Sequence, residues 1–243
     1  VFKVFKINYL IMKKILVTGG NGRFANILKK TNFNKKLIFR NKRQLNIEAI
    51  SSIEKNIKKF KPKIILHLAG ISRPMSFHDK KINESITTNI IGTCNLVNCC
   101  FKHNIKIIYF STNYVYAGLK GNYKEYDPVL PWNNYGWSKI GGESAVQMYK
   151  NSLILRVCMT EKPFLHKSAY SNVRTNFTYQ EDIAKILPKL INKKGIINVG
   201  GNTTTIYNFA KKNNKGIKKK LSKGEFPLKL DMNLNKLKKI LKK

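Results

Sequence analysis

The sequence predicts an α/β fold, a doubly wound parallel sheet with helices on both faces and a small, reduced C-terminal lobe. Three observations carry this reading. Short β-branched apolar runs alternate with stretches of helical periodicity from Met12 onward. The runs are bounded by turn residues and carry the composition of strands buried on both faces. A glycine-rich turn joins the first run to the first helical stretch.

Taken in order, "KILV" (14–17) is the first strand and 23–30 the first helix. "KLIF" (36–39) and the amphipathic stretch 47–60 make the second unit. "KIILHLA" (63–69) is a third strand, followed by a long helical segment at 82–103. "IKIIYFS" (105–111) and 135–150 repeat the pattern, and "LILRV" (153–157) is a fifth strand. "QEDIAKILPKLIN" (180–192) is read as a helix with Asp182 near its start, and "GIINVGG" (195–201) as a sixth strand. "TTTIYNFAKK" then opens a further helix, with threonines available as N-caps. Two segments break the alternation: 158–179 is irregular, and 213–243 is very basic with a short helix near "NLNKLKKIL". Both follow strands whose carboxyl ends border the crevice of such a sheet, where chain is placed to cover a substrate.

Composition bounds the rest. The 243 residues suffice for one sizeable domain, and 42% apolar content suffices for a core. The formal charge of +35 invites a phosphate-binding reading. Lysine far outnumbers arginine, however, and bidentate phosphate and base recognition favours arginine. The lysines also run from end to end beside abundant Asn and Ile, a composition-wide bias, so no nucleic-acid partner is expected. Cys94, Cys99, Cys100 and Cys158 fit no metal spacing, and adjacent Cys99 and Cys100 make a poor disulfide. No metal is expected, and a reduced, cytoplasmic setting is. No stretch approaches the roughly 20 apolar residues of a membrane span. Residues 1–11, ahead of Met12, are read as an extension outside the fold, too lysine-broken for a signal peptide.

The glycine turn is "VTGGNGRFA", with Gly19, Gly22 and Ala25 spaced G-x-x-G-x-x-A. Glycine permits the tight turn and lets backbone approach a pyrophosphate, while the small third residue lets helix and strand pack closely. Free N–H groups at the start of the helix favour the anion. About 20 residues on, an NAD-preferring site offers an acid to the ribose. Here the run is "FRNKR", with Arg40 at that position, which favours NADP(H) over NAD(H).

The second motif is "WNNYGWSKIGGE" (132–143), where Tyr135 and Lys139 stand at i and i+4 on one helical face. A strand-end hydroxyl, Thr112, precedes it in "YFSTNYVYAG" (109–118). Together with "LNI" (45–47), "HLAG" (67–70), "NIIGTCNLV" (89–97) and "INVGG" (197–201), these pieces resemble the extended branch of the short-chain dehydrogenase/reductase superfamily. Its fold is Rossmann-like, and within the branch the sequence is similar to dTDP-4-dehydrorhamnose reductases. The resemblance implies a nicotinamide cofactor and a nucleotide-sugar substrate. It places Gly22, Arg23 and Phe24 against the pyrophosphate and Asn46 and Ile47 near the adenine. Ala69, Gly70 and Ile71 then line the ribose and nicotinamide side. Thr112 would bond the substrate carbonyl, Tyr135 would transfer the proton, and Lys139 would hold the ribose and tune Tyr135. It further implies a dinucleotide-binding core at 12–157, continued by 180–212, with 158–179 and 213–243 as the substrate-covering lobe. A homodimer is left open.

The chemistry needs these residue types whatever the family. Hydride addition to a ketone develops negative charge on oxygen, so a proton donor must stand within hydrogen-bond reach. An ammonium about 4 Å from a tyrosine hydroxyl contributes on the order of 4 kcal/mol at an effective dielectric near 20. The expectation is therefore a Tyr135 lowered from about 10 toward the working pH. The reductase family that the sequence resembles usually has Asp directly after the strand-end Thr, and Asn113 stands there instead, which bears on substrate identity. Asn113, Trp132, Asn133 and Arg174 are the candidate substrate contacts, with Arg156, Met159 and Thr160 also placed after the fifth strand. His67 is read as a packed core residue. Besides the reductase, two readings stay open: an epimerase or dehydratase using the same pair, and a non-catalytic regulatory protein that binds cofactor or nucleotide sugar.

Overall fold

The computed structural model describes residues 14–242, so the reading of 1–11 as an extension lies outside the described residues. Among the described residues, six parallel strands build the central sheet: β1 (Ile15–Thr18), β2 (Leu37–Phe39), β3 (Ile64–His67), β4 (Lys106–Thr112), β5 (Ser152–Val157) and β6 (Gly195–Val199). Their order is β2-β1-β3-β4-β5-β6. Leu16 stands opposite Ile38 on one side and Ile65 on the other. The chain runs outward from β1 to β2, then returns past β1 to β3. That reversal opens a crevice beyond the carboxyl ends of β1 and β3.

The helices are α1 (Arg23–Lys29), α2 (Ile50–Phe60), α3 (Gly92–Lys102), α4 (Asn134–Met148), α5 (Gln180–Leu190), α6 (Ile206–Lys211) and α7 (Asn235–Leu241). Successive strand residues feed opposite faces. Ile15 and Val17 enter one core cluster with Leu28 of α1, Leu187 of α5 and Leu237 of α7. Leu16 enters the other with Ile53 and Ile57 of α2, Leu96 of α3 and Val146 of α4. Both faces are thus covered, which is why every residue of β1 is buried.

Local chemistry sets the ends of the elements. Lys61, at φ 48°, donates its N–H to the Ile57 carbonyl at 2.8 Å and closes α2, and Pro62 behind it prevents continuation. Helical turns at Ile82–Ser85 and Ile86–Ile91 run without a break into α3, and the second of them is a π turn. Its cause is Asn89, which accepts the Ile71 N–H at 2.8 Å and donates to the Ile71 carbonyl and the Ser138 hydroxyl, both at 2.9 Å. The wider turn swings this amide between the loop after β3 and α4. Close packing follows, since a Cβ on Gly142 would lie 2.7 Å from the Asn89 carbonyl oxygen. Gly142→Ala is expected to lower the unfolding free energy by about 1–3 kcal/mol, read from urea titration, because the added methyl meets backbone.

The segments that break the alternation form short strand pairs. Ser168–Tyr170 pairs with Lys218–Lys220, Arg174–Thr175 with Thr204–Thr205, and Met159–Thr160 with Thr178–Tyr179. They enclose a small core of Phe164, Ala169, Val173, Ile206, Ala210 and Ile217. Thr205 caps α6 by accepting the Asn208 N–H at 3.1 Å. Through Ile206 and Ala210, α6 packs with this lobe, whereas α7 returns to the main core through Leu237. Among the described residues no helix is long and apolar enough to cross a membrane, and no group of three or more His, Cys, Asp or Glu could hold a metal ion.

Candidate active site

The crevice is floored by the turn between β1 and α1. Gly19 sits at φ +67°, and a Cβ there would lie 2.7 Å from the Ala69 nitrogen, so glycine alone lets the turn meet the loop after β3. Gly22 donates its N–H to the Gly19 carbonyl at 2.8 Å, and Phe24 and Ala25 are buried beneath. Thr18 and His67 brace the same corner. The Thr18 oxygen accepts the Leu68 and Ala69 N–H groups at 3.2 and 3.0 Å, leaving its hydroxyl proton for His67 Nδ1 at 2.9 Å. Nε2 then donates to Thr93 at 3.0 Å, since the Thr93 hydroxyl is already spent on the Asn89 carbonyl. Burial lowers the imidazole to about 3, so His67 is a neutral, fully bonded core residue.

Three adjoining cavities fill the crevice. The outer one, about 440 Å³, is lined by Gly19, Gly22, Asn46, Ile47 and Ala69–Ile71. The middle one, about 570 Å³, adds Arg23, Phe24, Ala25, Tyr135 and Lys139. The inner one, about 630 Å³, is bounded by Thr112, Asn113 and Tyr135 on the sheet side and by aromatic side chains of the lobe, including Phe164, Tyr170 and Phe226. Tyr135 borders both the middle and the inner cavity. The sequence-predicted Thr112, Tyr135 and Lys139 are thus brought together where the two meet.

Their electrostatics differ from the sequence expectation. Burial pushes Tyr135 up to about 12, against the Thr112 hydroxyl and the guanidinium groups of Arg73 and Arg23, which favour the phenolate. Burial also lowers Lys139 to about 7, opposed by Glu143. Desolvation drives both groups toward their neutral forms, and the groups that oppose it at Tyr135 are Thr112 and the two arginines in place of the expected lysine. The Lys139 nitrogen lies 4.2 Å from the centroid of the Tyr109 ring. Beneath it, Glu143 is wholly buried, accepts from Arg156 Nε at 3.0 Å and from the Ser111 hydroxyl at 2.5 Å. Arg156 also donates to the Tyr116 oxygen at 2.9 Å. Arg156 therefore anchors the interior below the lysine and is not presented to a substrate.

The other candidates divide. Asn113 faces the inner cavity, with its amide nitrogen 3.4 Å from Thr175 Oγ1 and 3.5 Å from the Leu230 carbonyl. Both contacts use the amide as a donor. Met159 and Thr160 line the same cavity. Trp132 stands behind the wall, 5.3 Å from the Tyr114 ring and 4.8 Å from Phe226. Asn133 is the N-cap of α4, accepting the Gly136 N–H at 2.8 Å. Arg174 points outward to Asp231 at 3.2 Å. Arg40 turns away from the outer cavity to Asn56, 3.2 Å from Nε, and over the Phe60 ring. Lys42 lines that cavity in its stead, paired with Glu48 at 2.9 Å. Asn133→Ala is expected to cost about 1 kcal/mol of stability in thermal unfolding while leaving substrate affinity unchanged.

The sequence reading passed over Asn89, Arg73, Glu143 and Glu161. Only Glu143 left a local signal, one helical turn beyond Lys139.

A family model described as RmlD substrate binding domain matches residues 12–161. The chain is 29% identical over 154 residues to a dTDP-4-dehydrorhamnose reductase of Aggregatibacter actinomycetemcomitans, covering 61% of this chain and 52% of that one. It is 32% identical over 114 residues to methionine adenosyltransferase 2 subunit beta of Xenopus laevis, covering 46% of this chain and 34% of that one. The chain thus spans about half or less of the length of these curated relatives. Among solved structures, a dTDP-4-dehydrorhamnose reductase from Bacillus anthracis in complex with NADP superposes with a TM-score of 0.83 at 22% identity, over 93% of this chain and 91% of that one.

Proposed function

From the premise that the chain belongs to the RmlD substrate binding domain family, we propose that it is an NADP(H)- or NAD(H)-dependent reductase of a nucleotide-linked 4-keto sugar. The observation that carries this is the position of Tyr135 on the border between the middle and inner cavities, with Thr112 on one side and Lys139 on the other. The outer and middle cavities suit a dinucleotide, because Gly19 and Gly22 let the backbone of the turn approach closely and Ala69–Ile71 form the facing wall. Asn46 and Ile47 lie at the adenine end of this arrangement. A bound nicotinamide supplies the hydride. Thr112 fixes the carbonyl oxygen, Tyr135 gives it a proton, and Lys139 holds the ribose.

A tyrosine pushed to about 12 stays protonated at neutral pH. That is the form a reduction consumes, whereas an epimerase or dehydratase begins by using the residue as a base. The lobe built from 158–179, α6 and the chain ahead of α7 covers the substrate, with Asn113 as its contact on the sheet side. The preference for NADP(H) rests on Lys42, at the adenine end, more than on Arg40.

The similarity to methionine adenosyltransferase 2 subunit beta favours a second reading, a regulatory subunit that binds the dinucleotide without turnover. One experiment decides between them: NADPH and NADH oxidation followed with a panel of nucleotide-linked 4-keto sugars, alongside direct titration of each cofactor. Oxidation dependent on one sugar supports the reductase. Cofactor binding without oxidation by any sugar supports the regulatory reading, and no cofactor binding sinks both.

A further inference from the structure

Three charged side chains from three separate parts of the chain, the start of α1 and two loops, meet at the border of the middle and inner cavities. Arg23 follows the glycine turn, Arg73 lies in the loop after β3, and Glu161 lies in the segment after β5. Both arginines converge on one carboxylate oxygen: Arg23 Nε is 3.2 Å and Arg73 Nη1 2.9 Å from Glu161 Oε1. Arg23 also donates to the Ser72 hydroxyl at 3.1 Å. The second oxygen, Oε2, is buried without a hydrogen-bond partner. Both arginines line the middle and the inner cavity, and Glu161 is the only carboxylate among the described residues lining the inner one.

This is a poor resting arrangement for a carboxylate. Two forks, each able to hold a pair of oxygens, share a single acceptor, while a buried acceptor beside it goes unused. A phosphate or diphosphate offers several charged oxygens to the same forks, and arginine matches that geometry in bidentate fashion. We propose that Arg23 and Arg73 form a binding site for the phosphate oxygens of a diphosphate-bridged ligand, with Glu161 as its internal occupant, displaced when that ligand enters. The proposal rests on the reading of the crevice as a nucleotide site. Its ligand chemistry has two sources, the dinucleotide cofactor and the nucleoside diphosphate of a substrate. Glu161 then delays one of them until its phosphates outcompete a carboxylate. It also holds the two arginines aligned across the border in the meantime.

The test is a double-substitution cycle on Glu161→Gln and Arg73→Gln. NADPH is titrated by fluorescence, and thymidine and uridine diphosphate by calorimetry. Glu161→Gln is expected to tighten one of these ligands by about tenfold, the scale of a competing charge-assisted hydrogen-bond pair. The gain disappears when Arg73→Gln is added, and Arg73→Gln alone weakens the same ligand. A gain for NADPH assigns the site to the cofactor, and a gain for the nucleoside diphosphates assigns it to the substrate. No tightening in either arm overturns the proposal. An equal gain with Arg73 removed also overturns it, because that is only the effect of deleting one negative charge. If the parent protein binds neither nucleotide, the nucleotide reading fails. Inorganic pyrophosphate then decides the site by thermal shift: stabilisation of Glu161→Gln that is lost in the double variant upholds it, and equal shifts in both reject it.

Discussion

Tyr135→Phe is expected to lower turnover by about 10²–10⁴-fold while leaving NADPH affinity unchanged. The substitution removes one oxygen and little else. The ring is held by its neighbours, 6.0 Å from Tyr114 in an edge arrangement and 5.1 Å from His78, and these contacts survive in phenylalanine. The Tyr135 carbonyl still receives the Ser138 hydroxyl at 2.8 Å, so the first turn of α4 is unaltered. On the proposed mechanism, what is lost is the proton donor, and developing charge on the substrate oxygen must then be met by water or by Thr112 alone. Thr112→Ser is the companion measurement. It keeps the hydroxyl that receives the Tyr114 N–H at 3.2 Å and so retains most of the activity, whereas Thr112→Val loses both the substrate bond and that turn contact. Single-turnover oxidation of NADPH reads the chemical step directly. A Phe variant that turns over as fast as the parent removes Tyr135 from the mechanism.

That these residues share one crevice was legible because their placement is written in short-range spacing. A tyrosine and a lysine at i and i+4 share a face wherever the helix lies, and a glycine turn between strand and helix needs no tertiary information. The strands were legible for a related reason, since double burial leaves an unbroken apolar run; β1 and β4 are displaced from the expected spans by a single residue. What the sequence hid depends on side-chain direction or on distant partners. Nothing local tells Arg40 to turn toward Asn56 or Arg174 toward Asp231, and in a lysine-rich chain a basic residue near a site carries little information. The π turn at Ile86–Ile91 arises from bonds between Asn89 and residues 18 and 49 positions away. Glu161 and its two arginines come from distant parts of the chain that the fold alone brings together. Asn133 is a different case: Asn directly before a helix is an N-cap signal, and it was outweighed by nearness to Tyr135.

Lys139→Met is expected to abolish turnover and, in the same molecule, to stabilise the ligand-free protein at pH 7 and below. In the unfolded chain the lysine holds its proton until about pH 10.5, and in the folded protein burial brings the value to about 7. The folded state therefore binds fewer protons between these limits, so stability rises with pH across that window and is lost as pH falls back through 7. Below pH 7 the whole penalty stands, on the order of 5 kcal/mol at about 1.4 kcal/mol per tenfold. Methionine keeps the apolar stem against α4's neighbours and has no charge to bury. It forfeits the contact of the ammonium with the Tyr109 ring and the attraction to Glu143, which makes the net gain smaller than the penalty removed. The decisive readout is the difference between parent and variant in denaturant titrations from pH 6 to 9.5, a window below the range in which the buried tyrosines titrate. The advantage of the variant is greatest at pH 6 and shrinks steadily above pH 7. A difference that does not change with pH, or one that grows with it, means that Lys139 is not held near 7. The trend has a functional meaning as well. On the proposed function, a buried ammonium that costs the fold stability is kept to meet the hydroxyls of a bound ribose, so the destabilisation measured in the ligand-free protein is the counterpart of affinity for that ligand.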